Sequence, residues 1–456
     1  MAEQKNDFTQ GSIPSTIIRV ALPMIGAQII NVLYSVVDKM YINRLPNIGT
    51  IAMTGVGVTF PIIMIVSAFA MLAGMGGAPL CSIARGERRN DYAERVIGNA
   101  FSLLMIFAVA ITALMLCFKQ PILFMIGASA ETFPYADEYL TIYLCGSLFS
   151  MTALGMNPFI NSQGFTRRGM LTVAAGAVTN IILDPIFMFT FDMGVKGAAL
   201  ATILSQMISA TLVLRFLTGT KTLLKLKKSN MRLNKEIVGR ILRLGTSTFT
   251  MNVTECISVF VCNRTLMDFG GNEYVTVMTI ISSVRQILML PISGFGQGLQ
   301  PVMGYNYGAG RYDRVRQSFL FTVVVSTCYA TFVTILTQLI PELLMYPFSQ
   351  DKAIISLAIT PLRTYFSFFF VLSMQMSGQY SFVALGKSRQ AIFFSLLRKA
   401  FIVAPLAYLL PRLTNMGVMG VFRAEPISDV VGSLLCVTTF LITVWPTLKK
   451  NPEVPA

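Results

Sequence analysis

The sequence predicts an all-α, polytopic membrane protein with twelve transmembrane helices in two related halves of six. Three observations predict it. Only 12% of the 456 residues are charged and 54% are hydrophobic, with mean hydropathy +0.65; a water-soluble globule usually carries about a quarter charged residues. Apolar runs reach the roughly 20 residues that cross a bilayer. The second half of the chain repeats landmarks of the first.

In lipid a spanning backbone must satisfy its own hydrogen bonds, so apolar runs of this length are helices. In chain order they are expected at about 14–42, 51–83, 96–118, 135–160, 170–190, 197–218, 241–267, 273–302, 318–340, 353–380, 391–410 and 417–446. The first follows a polar stretch of mixed charge, Met1 to Gly11, without the basic region of a cleaved signal peptide; it is expected to be a retained helix. Connections are short except at Thr218–Arg240. The expected organisation is a six-helix lobe over 1–218, a cytoplasmic linker over 219–240 and a second six-helix lobe over 241–456.

The net charge of +15 suits either a nucleic-acid surface or the excess of Lys and Arg on cytoplasmic loops. Position decides. With the N-terminus inside, twenty-three Lys and Arg fall on inner segments, from Lys5 and Arg19 through the eight between Lys221 and Arg243 to Lys449 and Lys450. The outer segments carry six: Arg44, Lys119, Lys196, Arg264, Lys352 and Arg412. Charge dispersed over alternate loops excludes a nucleic-acid partner and puts both termini in the cytoplasm.

The repeat fixes the relation of the halves. Gly74, Gly76, Pro79, Gly86, Arg89 and Asp91 recur 222 residues later as Gly296, Gly298, Pro301, Gly308, Arg311 and Asp313, and Gly164 recurs as Gly386. Six spans per repeat is an even number, so both repeats share one orientation. Paired repeats of this kind mark transporters. Gly74-Met-Gly-Gly and its repeat Gly296-Gln-Gly lie in apolar helices with no strand before them, so they are read as close-packing positions and not as phosphate loops.

Ionisable groups inside spans are costly and therefore candidates for function. The acids are Asp38, Asp184, Glu255, Glu425 and Asp429; the bases are Lys39, Arg215, Arg285, Arg363, Arg398, Lys399 and Arg423. Asn180 and Asp184 are four apart and share a helix face. Pro185 cannot donate to the carbonyl of Ile181. A freed carbonyl beside a carboxylate and an amide is an oxygen-rich pocket for Na⁺ or a carboxyl that takes up a proton; the alternative is a plain kink with Asp184 paired to a base. Glu425 precedes Pro426 and shares a face with Asp429. That pair suits a proton or drug-cation site, or a structural pairing with Arg423, Arg398 or Lys399. Glu255 either faces cationic compounds or pairs with Arg285. The tenth span has no acid, only Gln375 and Gln379 beside Arg363. With no His and no CxxC pair among seven Cys, a metal cluster, a bound cofactor and an intramembrane enzyme are not expected.

Several stretches together resemble the multidrug and toxic compound extrusion (MATE) family, in its MepA-like bacterial branch. They are Tyr34-Ser-Val-Val-Asp38, Asn180-Ile-Ile-Leu-Asp-Pro185, Gly197-Ala-Ala-Leu-Ala-Thr202, Gly296-Gln-Gly-Leu-Gln-Pro301, Gly304-Tyr-Asn-Tyr-Gly308 and Ala424-Glu-Pro426. The resemblance implies two six-helix lobes forming a V, and a monomeric antiporter in the bacterial inner membrane. It implies export of amphipathic, often cationic molecules, driven by Na⁺ or H⁺ entry. It places a cation-coupling site at Asp38, Asn180, Asp184 and Thr202. It makes Glu255, Arg285, Gln375, Gln379, Glu425 and Asp429 the candidates for substrate or a second cation in the C-terminal half. Glu255 matches the acid that the NorM branch uses in a C-lobe cation site, but that branch also has an acid in the tenth span, which is missing here. The four bases Arg285, Arg363, Arg398 and Arg423 keep open an alternative: a flippase for a lipid-linked sugar, or an exporter of another endogenous metabolite.

Overall fold

The computed structural model describes residues 7–46 and 49–449. Lys5 and Lys450, counted above among the inner charges, lie outside the described residues. All regular structure among the described residues is helical. The first half comprises α1 (Ile13–Asn43), α2 (Gly49–Gly86), α3 (Asn90–Ile126), α4 (Phe133–Cys145), α5 (Ser147–Ser162), α6 (Thr166–Pro185), which continues as a π turn over Ile186–Thr190, and α7 (Gly194–Thr218). After a short 3₁₀ turn at Lys228–Met231 come α8 (Lys235–Gly308), α9 (Tyr312–Leu339), α10 (Pro341–Met345), α11 (Lys352–Tyr365) and α12 (Phe369–Ala384). The chain ends with α13 (Ser388–Leu396), a π turn over Leu397–Val403, α14 (Ala404–Leu413), α15 (Val418–Thr443) and α16 (Trp445–Lys449).

Among the described residues, nine helical stretches are long and apolar enough to cross a bilayer, and two bent pairs, α4 with α5 (58°) and α11 with α12 (53°), each add a span. One of the nine, α8, runs 74 residues and loses helical geometry at Gly271, where φ is 67°. A straight helix of that length would extend roughly 110 Å, several times the apolar thickness of a bilayer. It is therefore two spans hinged at a glycine, whose missing Cβ permits the left-handed φ. The set accommodates the twelve spans expected.

The chain forms two compact units. Leu22–Gly245 form the body of the first; Phe8–Ala21 and Thr246 onward form the second. Two of the crossings, after Ala21 and after Gly245, fall inside helices, beside a residue that weakens each. Pro23 in α1 cannot donate to Arg19, and Gly245 in α8 is its counterpart 222 residues on.

Gly74 and Gly76, and their counterparts Gly296 and Gly298, prove to be packing positions. In the first unit a Cβ on Gly76 would strike the Ile241 carbonyl and lie 2.9 Å from the Gly245 nitrogen. In the second unit a Cβ on the counterpart Gly298 would lie 2.7 Å from the Ala21 Cβ. By contrast, Gly57, also in α2, has nothing within 4 Å of its missing Cβ. Gly57→Ala is therefore expected to be neutral or to stabilise by up to about 1 kcal/mol through helix propensity. Gly76→Ala should lower the melting temperature of the purified protein, because backbone must move to admit the methyl. Equal melting of the two variants would mean that Gly76 is not a contact point.

The expected linker is a strap on the first unit. Gln163 is fully buried, and its Oε1 accepts from Thr222 Oγ1 (2.8 Å), Leu223 N (2.9 Å) and Leu224 N (2.8 Å). Glu94 accepts from Lys225 N and pairs with Lys227, holding the Lys227 ammonium above the ordinary lysine range. Asn99 Oδ1 accepts from Asn234 N (2.7 Å), and Ser102 Oγ donates to the Met231 carbonyl (2.6 Å). Ser229 on this strap is exposed. In a background lacking the native cysteines, Ser229→Cys is expected to react with an impermeant maleimide only from the cytoplasmic side. Labelling in intact cells would reverse the orientation drawn from the Lys and Arg distribution.

Candidate functional site

The first unit gathers two carboxylates that form no ion pair among the described residues. Asp184 lies at the end of α6, one residue before Pro185, where regular α geometry gives way to the π turn. Helical spacing places Asn180 on the same face, and its Nδ2 donates to Asp184 Oδ1 at 3.0 Å. Asp38 of α1 lies within side-chain interaction reach of Asp184. Among the described residues neither acid forms an ion pair; the adjacent Lys39 instead lays its ammonium 5.6 Å from the Phe60 ring. Asp38 Oδ1, Asn180 Oδ1 and Asp184 Oδ2 are all buried without a hydrogen-bond partner. Orphaned buried oxygens are rare and call for an explanation. Three of them, two on carboxylates, suit a hard cation or a shared proton.

Thr202 of α7 joins this group through Tyr139 of α4, whose side chain lies within interaction reach of both Thr202 and Asp38. Tyr34 lies within electrostatic reach of both acids and of Tyr143. The sequence reading quoted Tyr34 only as part of the stretch ending at Asp38 and did not single out Tyr139 or Tyr143.

The second unit gathers charge in a different way. Arg285 of α8 and the consecutive Arg398 and Lys399 converge on Glu425 Oε1 of α15, at 2.9, 3.0 and 2.8 Å. Glu255 of α8 meets the same three bases at 3.4 Å (Arg285), 3.7 Å (Arg398) and 3.1 Å (Lys399). Asp429 lies 3.7 Å from Arg398. Three bases and three acids thus offset one another in formal charge. Arg398 and Lys399 occupy the π turn, and the carbonyls of that turn are taken by side chains: Ser428 Oγ donates to Arg398 O and Ser258 Oγ to Lys399 O, both at 2.9 Å. Arg285 also donates to the Tyr365 hydroxyl at 2.7 Å.

Other candidates lie apart from this cluster. Arg363 and Arg423 are exposed, and Arg423 Nη1 lies 3.2 Å from the Met416 sulfur instead of pairing with Glu425 or Asp429. Gln379 donates to Ser395 Oγ. Gln375 is fully buried against Gly432, with neither amide atom hydrogen-bonded. Tyr365 was also missed, although a signal existed: it recurs 222 residues after Tyr143. Tyr143 lies two residues before the end of α4 and Tyr365 ends α11, so each sits beside the break of its unit's bent pair.

The MatE family model matches residues 23–186 and 247–409, one stretch in each repeat. The chain belongs to the MatE family. Among its MatE relatives, the multidrug export protein MepA of Staphylococcus saprophyticus is 24% identical over 436 residues, covering 95% of this chain and 94% of that protein. MepA of Staphylococcus haemolyticus is 25% identical over 438 residues, with the same coverage. Among solved structures, a multidrug resistance MATE transporter in an outward-facing conformation superposes with a TM-score of 0.91 at 24% identity, covering 98% of both chains. MATE in a bent conformation superposes with a TM-score of 0.92 at 24% identity, again over 98% of both. These likenesses show the shared MATE fold. The MatE stretches include Asp38, Asn180, Asp184, Glu255, Arg285, Arg398 and Lys399, whereas Thr202, Glu425 and Asp429 fall outside them.

Proposed function

We propose that this multi-pass membrane protein is a secondary antiporter that exports amphipathic, often cationic small molecules in exchange for Na⁺ or H⁺. The observation that carries this reading is the trio of partnerless buried oxygens on Asp38, Asn180 and Asp184. A charged, unpaired carboxylate in a low-dielectric site is costly. Two of them side by side repel, and entry of a cation or a proton relieves both the desolvation and the repulsion. The oxygens can hold either species, so the pocket itself does not choose the ion. The multidrug export function of the MepA relatives supplies the cargo class. Both termini and the strap are assigned to the cytoplasmic side, and the acids of the first unit take up the incoming cation.

The cation is exchanged for cargo when each favours a different conformation. A ligand shifts an equilibrium only by its differential affinity for the two states. Dye efflux from proteoliposomes, with Na⁺ and pH gradients imposed separately, tests the proposal. At least one gradient is expected to drive dye across; movement that ignores both gradients would refute antiport.

A further inference from the structure

The six-charge cluster of the second unit is more selective than a general attractor for cations. Its two glutamates bind the same three bases unequally. Glu425 is 4% exposed, and one of its oxygens lies within 3.0 Å of all three. Glu255 holds them from 3.1 to 3.7 Å and is 41% exposed. Arg285, Arg398 and Lys399 are between 4% and 9% exposed. Glu425 is thus the fixed partner, and Glu255 is the one that can leave.

We infer that this cluster is a binding site for the acidic group of carboxylate-bearing substrates, and that Glu255 occupies the place the substrate's carboxylate takes. The inference rests on the exporter reading and specifies its substrate class. Three buried bases need anionic partners, because an uncompensated buried charge is strongly destabilising. When a substrate carboxylate enters and Glu255 swings outward, one carboxylate replaces another and the formal charge of the cluster is unchanged. Arg285 and Arg398 can grip the incoming group through their forked N–H donors. A substrate that is only a cation meets the opposite situation. To reach Glu255 it must draw that carboxylate off the bases, leaving three cations against Glu425 and Asp429. Zwitterions, whose cationic end need not enter the cluster, and organic acids are therefore favoured over simple monocations.

The test uses two probes that differ in one group: a rhodamine carboxylate and its methyl ester. Binding of each to the full-length purified protein is measured by fluorescence anisotropy, and export of each is followed in proteoliposomes. The wild-type protein is expected to bind the carboxylate about tenfold more tightly than the ester, the worth of one charge-assisted hydrogen bond. Glu255→Gln removes the competing carboxylate and should raise affinity for the carboxylate dye without raising that for the ester. Lys399→Met should weaken the carboxylate dye alone. The wild-type comparison holds whether or not either variant folds. An ester that is exported and binds as tightly as the carboxylate overturns this inference and leaves the exporter reading intact. Failure to bind or export either dye overturns both.

Discussion

Asp184→Asn is expected to yield a folded, membrane-inserted protein whose gradient-driven dye efflux falls to the leak rate. Asparagine keeps the shape of the side chain and can still accept from Asn180, whose Nδ2 donates to Asp184 Oδ1, so the packing of α6 on its neighbours should survive. What it removes is the charge that a cation or proton must neutralise. Asp38→Asn should behave in the same way, because Asp38 faces Asp184 across the same pocket. The coupling free energy at stake is about 1–3 kcal/mol, or roughly 5- to 150-fold in affinity between states. Initial efflux rates in proteoliposomes, with circular dichroism on the same preparations, measure both halves of the expectation. Either variant pumping at the wild-type rate would make these carboxylates structural.

Glu425→Gln is expected to have the largest effect on stability of any single substitution in the second unit. Its Oε1 is the shared partner of Arg285, Arg398 and Lys399. Removing its charge leaves three buried bases facing Glu255 and Asp429 only. Breaking a buried ion pair by removing one partner typically costs about 3–5 kcal/mol. Glu255→Gln should cost less, because its side chain is less buried than that of Glu425 and its contacts with the bases are longer. Thermal melting of the two purified variants in one detergent measures the difference. A Glu255→Gln protein that melts as low as Glu425→Gln would show that the load is shared equally and that Glu425 is not the fixed centre.

Some of this architecture was legible in the sequence because lipid imposes strong rules. Runs of apolar residues gave the spans, and the 222-residue register gave the repeat, including the glycines that proved to be contact points. Helical spacing and proline chemistry in the Asn180–Asp184–Pro185 run pointed to an oxygen-rich pocket or to a plain kink; Asp38 and Thr202 were joined to it only through the family resemblance. The bends were not legible. The spans at 135–160 and 353–380 read as single helices, yet each breaks, one after Cys145 and the other after Tyr365. Apolar composition reports length but not direction, and neither break carries a proline at its centre.

The direction of a side chain was equally hidden. Helices in lipid are apolar on every face, so periodicity could not show that Arg363 and Arg423 point outward while Arg398 and Lys399 point inward. The π turn over Leu397–Val403 that carries the latter two adds a shift that α periodicity does not contain. The segment over 219–240 read only as a cytoplasmic linker, because its Lys and Arg dominate it. Its anchors Glu94, Asn99 and Gln163 come from α3 and the end of α5, far away in sequence.

The first-unit pocket can be tested most directly by measuring how the coupling cation changes dye affinity. Coupling is reciprocal in binding free energy, so a cation that is displaced by cargo must itself weaken cargo binding by the same factor. Dye affinity of the purified wild-type protein should fall when Na⁺ is added or when the pH is lowered, whichever supplies the coupling ion. In Asp184→Asn the same additions should leave dye affinity unchanged. A dye affinity that responds to Na⁺ or pH identically in the wild type and in Asp184→Asn would contradict the assignment and move the coupling site elsewhere in the chain.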